Sequence, residues 1–331
     1  MSYHDLTFDS MGCEVRLLIG DPLPGSPPAA EAAAREKAFI EVFDAALSRF
    51  RPDSELTAFN HDPREVVPAS ALLRQAVHAG LWAAWRSDGL VDPTLGGAIV
   101  SAGYRESRAG LPPEPLAEAL AGAPPRHPAS PRPEAEWRSI EIDDRAGTVR
   151  RPPGVAFDTG GSGKGLAADL VAERLRGYSR FVVDCGGDVR VGGFGARLDP
   201  FAVHARHPVD DEPAAIFDVT AGGIATSGLD IRIWRREDGT FAHHLLDPST
   251  GEPAWTGLVG VTALGRTALE AETLSKAALL SGPKRGRELI SEHGGMLVHD
   301  DGRIEIAGSV QPRLVGRRSG ALTSTLTALA L

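Results

Sequence analysis

The chain has 331 residues, 42% of them hydrophobic and 24% charged, the composition of a globular protein with room for a substantial core. Its net charge of −9, from 35 basic against 44 acidic residues, argues against a general nucleic-acid binder, whose surface must be basic. Two cysteines, Cys13 and Cys185, are too few for a disulfide framework or a thiolate metal cluster, and nothing in the sequence supports a bridge between them.

The first residues, MSYHDLTFDSMG, lack a basic region followed by an apolar run, so no signal peptide is read and the expected location is cytoplasmic. No stretch reaches the ~20 apolar residues needed to span a bilayer; residues 320–331 are apolar but short and rich in Thr and Ser. Alternation of apolar and polar residues over 3–20 predicts an opening strand, and Pro22, Pro24, Pro27 and Pro28 then mark a turn. An Ala-rich helix is predicted over 29–50, with Phe39, Val42, Phe43, Ala46 and Leu47 at helical spacing. A second helix, over 70–86, is stopped by Asp88-Gly89. Residues 105–133, rich in Pro, Ala and Gly and without periodicity, read as a surface excursion.

The second half reads as short strands broken by glycine pairs. Strands are predicted at 181–183 and 189–191 around Gly186-Gly187, in a segment that Ile224 opens and Ser227-Gly228 turns, and at 259–264. Helices are predicted over 165–176, 268–280 and 284–293. This mixed order favours α+β over a regular βαβ succession, and there is no internal repeat. The chain reads as a single domain over 1–331, with two intimately joined lobes.

The most informative stretch is Asp158-Thr-Gly-Gly-Ser-Gly-Lys-Gly165, followed at once by a helix. Glycines allow close backbone approach, and the N–H groups of a helix start hold anions. Lys164 adds a positive charge there, so a phosphate ligand is the natural reading beside that of a loop that only caps a helix. It is not a P-loop, because Gly165 and not Ser or Thr follows Lys164, and Gly161, Gly163 and Gly165 have the wrong spacing for a dinucleotide fingerprint.

The stretch from Asp158 to Asp169 resembles the D-L-G-G-I-A-K-G-Y-A-V-D signature of the ApbE family of FAD:protein FMN transferases. In matching order stand Met11-Gly-Cys13, Arg51-Pro-Asp-Ser-Glu-Leu-Thr-Ala-Phe-Asn60, Asp88-Gly-Leu-Val-Asp-Pro-Thr94, Cys185-Gly-Gly-Asp188 and Ala225-Thr-Ser-Gly228. His244-Leu-Leu-Asp-Pro-Ser-Thr-Gly-Glu-Pro253 and Ala271-Glu-Thr-Leu-Ser-Lys-Ala277 complete the series.

The resemblance implies an α+β fold of two lobes, mixed or antiparallel sheets flanked by helices, with FAD in the cleft between them. It implies transfer of FMN from FAD to a Thr or Ser hydroxyl of a partner protein, with AMP released and Mg assisting; some members instead hydrolyse FAD. Carried over residue by residue, Met11 touches a ring of FAD, Phe50 stacks on one, and Leu90, Val91 and Asp92 line the site. Asp158 and Lys164 hold the nucleotide, and His244, with Leu245, lies at the reacting phosphate as the acid/base.

Bland readings stand beside these. Met11 and Phe50 also suit a core, Asp92-Pro93 and Asp247-Pro248 also suit turn caps, and His243 competes with His244 for the inward position. Ser227 lacks the context of a hydrolase nucleophile, and Cys185 reads as a small buried hydrophobe.

The metal site departs from the family pattern. The resemblance implies an Asp and a Thr four residues later, completed by a backbone carbonyl of the glycine loop, here Gly163. The matching residues are Glu272 and Lys276, and an ammonium has no lone pair to give. Three readings are open: an i, i+4 ion pair on an exposed helix face, a Lys276 ammonium in the metal's place, or a metal held by Glu272, the Gly163 carbonyl and water. They correspond to a non-catalytic FAD binder, an altered catalyst and an ordinary transferase.

Overall fold

In the computed structural model, residues 3–209 and 212–315 are described; residues 320–331, read above as a short apolar stretch, lie outside them. The helices are α1 (Ala29–Leu47), α2 (Glu55–His61), α3 (Ala71–Arg86), α4 (Gly96–Ser101), α5 (Leu116–Ala121), α6 (Gly163–Arg174) and α7 (Ala268–Ile290). The central sheet has eight strands in the order His4–Ser10, Cys13–Ile19, Phe181–Cys185, Asp188–Gly192, Gly222–Gly228, Leu258–Gly265, Gly295–His299 and Ile304–Ala307. Every pairing in it is antiparallel, and three small antiparallel sheets surround it, which makes the fold α+β as expected. No helix among the described residues is long and apolar enough to cross a membrane.

Strand alternation distributes side chains between two apolar cores. Leu17, Ile19 and Val183 enter one, where α1, α2, α3 and α6 supply Ile40, Leu56, Leu73 and Leu166. Their neighbours Leu18 and Val182 enter the other, with Val261, Leu274 and Leu279. Ser70 caps α3 by accepting the Leu73 N–H at 3.1 Å, and Ser54 caps α2 by accepting the Thr57 N–H at 3.0 Å.

Several expectations need correcting in detail. The alternating stretch 3–20 is two strands, because Met11 (φ 52°) and Gly12 (φ 70°) turn the chain back on itself. The excursion at 105–133 contains α5, whose Leu116 and Ala119 are buried in the second core. The two helices predicted over 268–280 and 284–293 are present as two helical stretches within Ala268–Ile290, separated by the non-helical Gly282 (φ 73°) ahead of Pro283, and the second ends earlier than expected, at Ile290.

The element that positions the site is the crossing of α6 and α7. A Cβ on Gly165 would stand 2.7 Å from the Leu269 Cα and 2.8 Å from the Ala268 carbonyl oxygen, so only glycine lets the two backbones come this close. At that distance each helix supplies the other's missing hydrogen-bond partners. Asp169 of α6 accepts the N–H groups of Ala268 and Leu269 at 2.9 and 3.0 Å, and Glu272 of α7 accepts the Gly165 N–H at 2.8 Å. Gly165→Ala is therefore expected to cost about 1–3 kcal/mol. Gly163→Ala, where the added carbon meets only the Thr159 side chain at 3.3 Å, should cost much less. Urea unfolding of the two variants checks this, and an unchanged midpoint for Gly165→Ala would contradict the tight crossing.

Candidate functional site

The first turn of α6 carries Lys164, whose Nζ lies 2.5 Å from Asp188 Oδ2 and donates to the Gly186 carbonyl at 3.3 Å. Asp188 opens the strand after the Gly186-Gly187 turn and is buried. One turn into α7, Glu272 is 0% exposed; its Oε2 accepts the Gly165 N–H and its Oε1 accepts from Lys276 Nζ at 2.7 Å. Lys276 is 8% exposed, so the pair is interior and the reading of it as an exposed surface pair is overturned. Two ammonium groups and two carboxylates thus gather at one helix N-terminus. Burial opposes the Lys164 charge, yet Asp188 and Glu272 outweigh it and raise the pKa of the amine. Burial and the Asp188 charge push Glu272 up, against the pull of Lys276 and Lys164.

The short strand Phe241–His243 ends on the first of the two adjacent histidines, and the two have different surroundings. His243 is 0% exposed, its ring edge-on to Trp255 with centroids 4.6 Å apart, and its Nδ1 accepts the Leu245 N–H at 3.3 Å. His244 lies on the charged side. Burial pushes its pKa well below the ordinary histidine value, and His243, Lys276, Arg232 and Lys164 push it further. It is neutral at pH 7, and its buried Nδ1 has no hydrogen-bond partner. Leu245 is a core residue.

Met11 is partly buried at the positive-φ turn, and Arg232 donates to the neighbouring Gly12 carbonyl at 2.7 Å. Phe50 stands beside Tyr104, centroids 5.3 Å apart, with the Arg49 guanidinium 4.0 Å from the Phe50 ring centre; Tyr104 in turn meets Trp234 at 5.3 Å. Asp158 pairs with Arg49 at 2.9 Å and accepts the Gly160 N–H at 2.7 Å, so its carboxylate shapes the glycine loop. Leu90 is half-buried and Val91 buried against Ala83 and Ala277. Asp92 is buried; one oxygen accepts from Thr94 N–H and hydroxyl at 2.8 and 2.5 Å, while Oδ2 has no partner. Asp247 caps its turn through Ser249. Cys13 and Cys185 are free thiols.

Sequence reasoning assigned no role to Arg49, Asp188, Arg232 or Tyr104. Asp188 alone left a signal, as the last residue of Cys185-Gly-Gly-Asp188; Arg49 sits directly before Phe50 in a stretch read only as helix.

The side chains do not fit the magnesium that the resemblance implies. Both Glu272 oxygens are engaged, one by an ammonium, and Lys276 offers no lone pair. Gly163 offers only its backbone carbonyl, one ligand where magnesium takes six. Among the described residues no group of three or more His, Cys, Asp and Glu side chains is placed to hold a metal ion.

An α+β scaffold that brings a glycine loop, a helix N-terminus and two ammonium groups to one point has the make of a protein for a phosphate-bearing ligand. The ApbE family model matches residues 11–298, and the chain belongs to the ApbE family. The chain is 30% identical over 270 residues to an FAD:protein FMN transferase of Klebsiella pneumoniae, covering 79% of this chain and 74% of that protein. It is 29% identical over 275 residues to an FAD:protein FMN transferase of Salmonella typhimurium, covering 80% and 75%. Its fold matches the crystal structure of the ApbE protein of Thermotoga maritima with a TM-score of 0.74 at 25% identity, over 92% of this chain and 97% of that one.

Burial pushes Asp184, which holds the Gly186-Gly187 turn by accepting the Gly187 N–H at 2.9 Å, up to about 7. A carboxyl raised above its unfolded value of about 4 keeps its proton longer in the folded state, so stability falls as pH rises from about 4 to about 7. Asp184→Asn should flatten that slope, removing a loss on the order of 2–4 kcal/mol. Denaturant unfolding at pH 4.5 and 7.5 reads it, and an unchanged slope would contradict a buried, protonated Asp184.

Proposed function

We propose that this chain binds FAD across the first turn of α6 and moves FMN from it to a Thr or Ser hydroxyl of an acceptor protein, releasing AMP. The observation that carries this reading is the gathering of Lys164, Lys276 and a neutral His244 at the α6 N-terminus, in a chain of a family whose curated relatives are FAD:protein FMN transferases.

The ammoniums of Lys164 and Lys276 take the pyrophosphate charge, in the favourable field of the α6 N-terminus. The acceptor hydroxyl oxygen attacks the FMN phosphorus, the bond from that phosphorus to the bridging oxygen of AMP breaks, and the hydroxyl proton passes to His244. His244 is neutral at pH 7 and so has a lone pair to take that proton, with the unpartnered Nδ1 as the accepting atom. Met11 and Phe50 contact the rings of FAD, Phe50 stiffened by Arg49 and Tyr104. Leu90, Val91, Asp92 and Leu245 line the FAD site, where the unpartnered buried Oδ2 of Asp92 is an acceptor for a ligand donor. Asp158 acts through the glycine loop and Arg49. No step here runs through a metal.

Mixing the protein with FAD and a Thr-containing acceptor peptide should yield a peptide heavier by one FMN unit, with one AMP per adduct. His244→Ala should slow transfer by about 10²–10⁴-fold with FAD affinity changed only a few-fold. Tight FAD binding with no adduct, read by mass spectrometry, sinks transfer and leaves a binding protein; AMP release without adduct makes it a hydrolase.

A further inference from the structure

We infer that Lys276 is a built-in counter-ion for the ligand's pyrophosphate, so that the site binds FAD without a divalent metal; this rests on the FAD-binding reading above. Lys276 is not a stray surface charge. It is nine-tenths buried, and its Nζ is 2.7 Å from a carboxylate that is itself anchored to the α6 backbone through Gly165. That anchor ties the ammonium, through Glu272, to the first turn of α6, which also carries Lys164. Both ammoniums also lower the pKa of His244, so the ring feels both charges.

The same geometry tells against a metal. An ion bonded to Glu272 would have to displace the Lys276 ammonium from Oε1 and then share a buried space with two positive charges. The ammonium also needs no external supply and no coordination geometry. It carries one charge where a metal carries two, and it sits on four rotatable bonds, so substitution of lysine for a metal weakens the rate more than the affinity. Lys276 donates to Glu272 and Lys164 pairs with Asp188, one carboxylate for each ammonium. When the pyrophosphate enters, its oxygens become additional acceptors for donors already in place.

FAD binding by the full chain, followed by flavin fluorescence and calorimetry, should be the same within about twofold in excess EDTA and in excess Mg²⁺. Lys276→Thr should weaken binding in EDTA by about tenfold to a hundredfold, the loss of one charge-assisted contact, and Mg²⁺ should recover much of it. Glu272→Gln/Lys276→Met removes both charges of the buried pair together, so neither is left unpaired, and it should show the same weakening with no recovery by Mg²⁺. Wild-type binding that requires Mg²⁺ overturns the inference and leaves the FAD reading standing. So does undiminished binding by the folded variants in EDTA. Absence of FAD binding under every condition overturns both.

Discussion

Two helices cross at Gly165 so closely that each completes the other's N-terminus. Glu272 of α7 takes an N–H from α6, and Asp169 of α6 takes two from α7. The first four N–H groups of any helix lack intrahelical partners, and in a buried crossing water cannot serve them. The exchange of carboxylates solves that problem for both helices with one contact. It also determines what faces the ligand, because Lys164 is the residue before Gly165 and Lys276 lies one helical turn beyond Glu272. The charged centre is a consequence of how the crossing is satisfied.

A buried Lys–Glu pair is a poor source of stability. Desolvation offsets most of the attraction, and an apolar pair of similar volume often does as well. Lys276 and Glu272 are therefore better understood through what they present to the site. The environment sorts the other titratable groups in the same way. Of two adjacent histidines, His243 packs edge-on against Trp255 in the core while His244 stays neutral beside the ammoniums with one nitrogen unclaimed. The pattern is that of a site arranged to receive negative charge, with one neutral group available to move a proton.

The fold class, α1, α3, α6 and the paired strands around Gly186-Gly187 were legible because each has a local signature, in periodicity or in a cap such as Ser70. The hairpin at Met11-Gly12 was not, since alternation continues through it and the turn depends on a methionine held at positive φ. The glycine loop and His244 were legible as motifs. What escaped are residues whose meaning lies in distant partners: Arg49 works by meeting Asp158 and stacking on Phe50 and Tyr104. The spacing of Glu272 and Lys276 showed that they could pair, but i, i+4 spacing is equally common on solvated faces. Only the packing of α6 against α7 reveals that this pair is interior.

The account is tested most directly by a crystal structure of the FAD complex grown in the presence of a chelator. It predicts the pyrophosphate over the first turn of α6, with the ammonium groups of Lys164 and Lys276 each about 3 Å from one of its oxygens and no cation on Glu272. FAD bound away from the glycine loop, or Lys276 turned aside from a metal retained on Glu272, would contradict it.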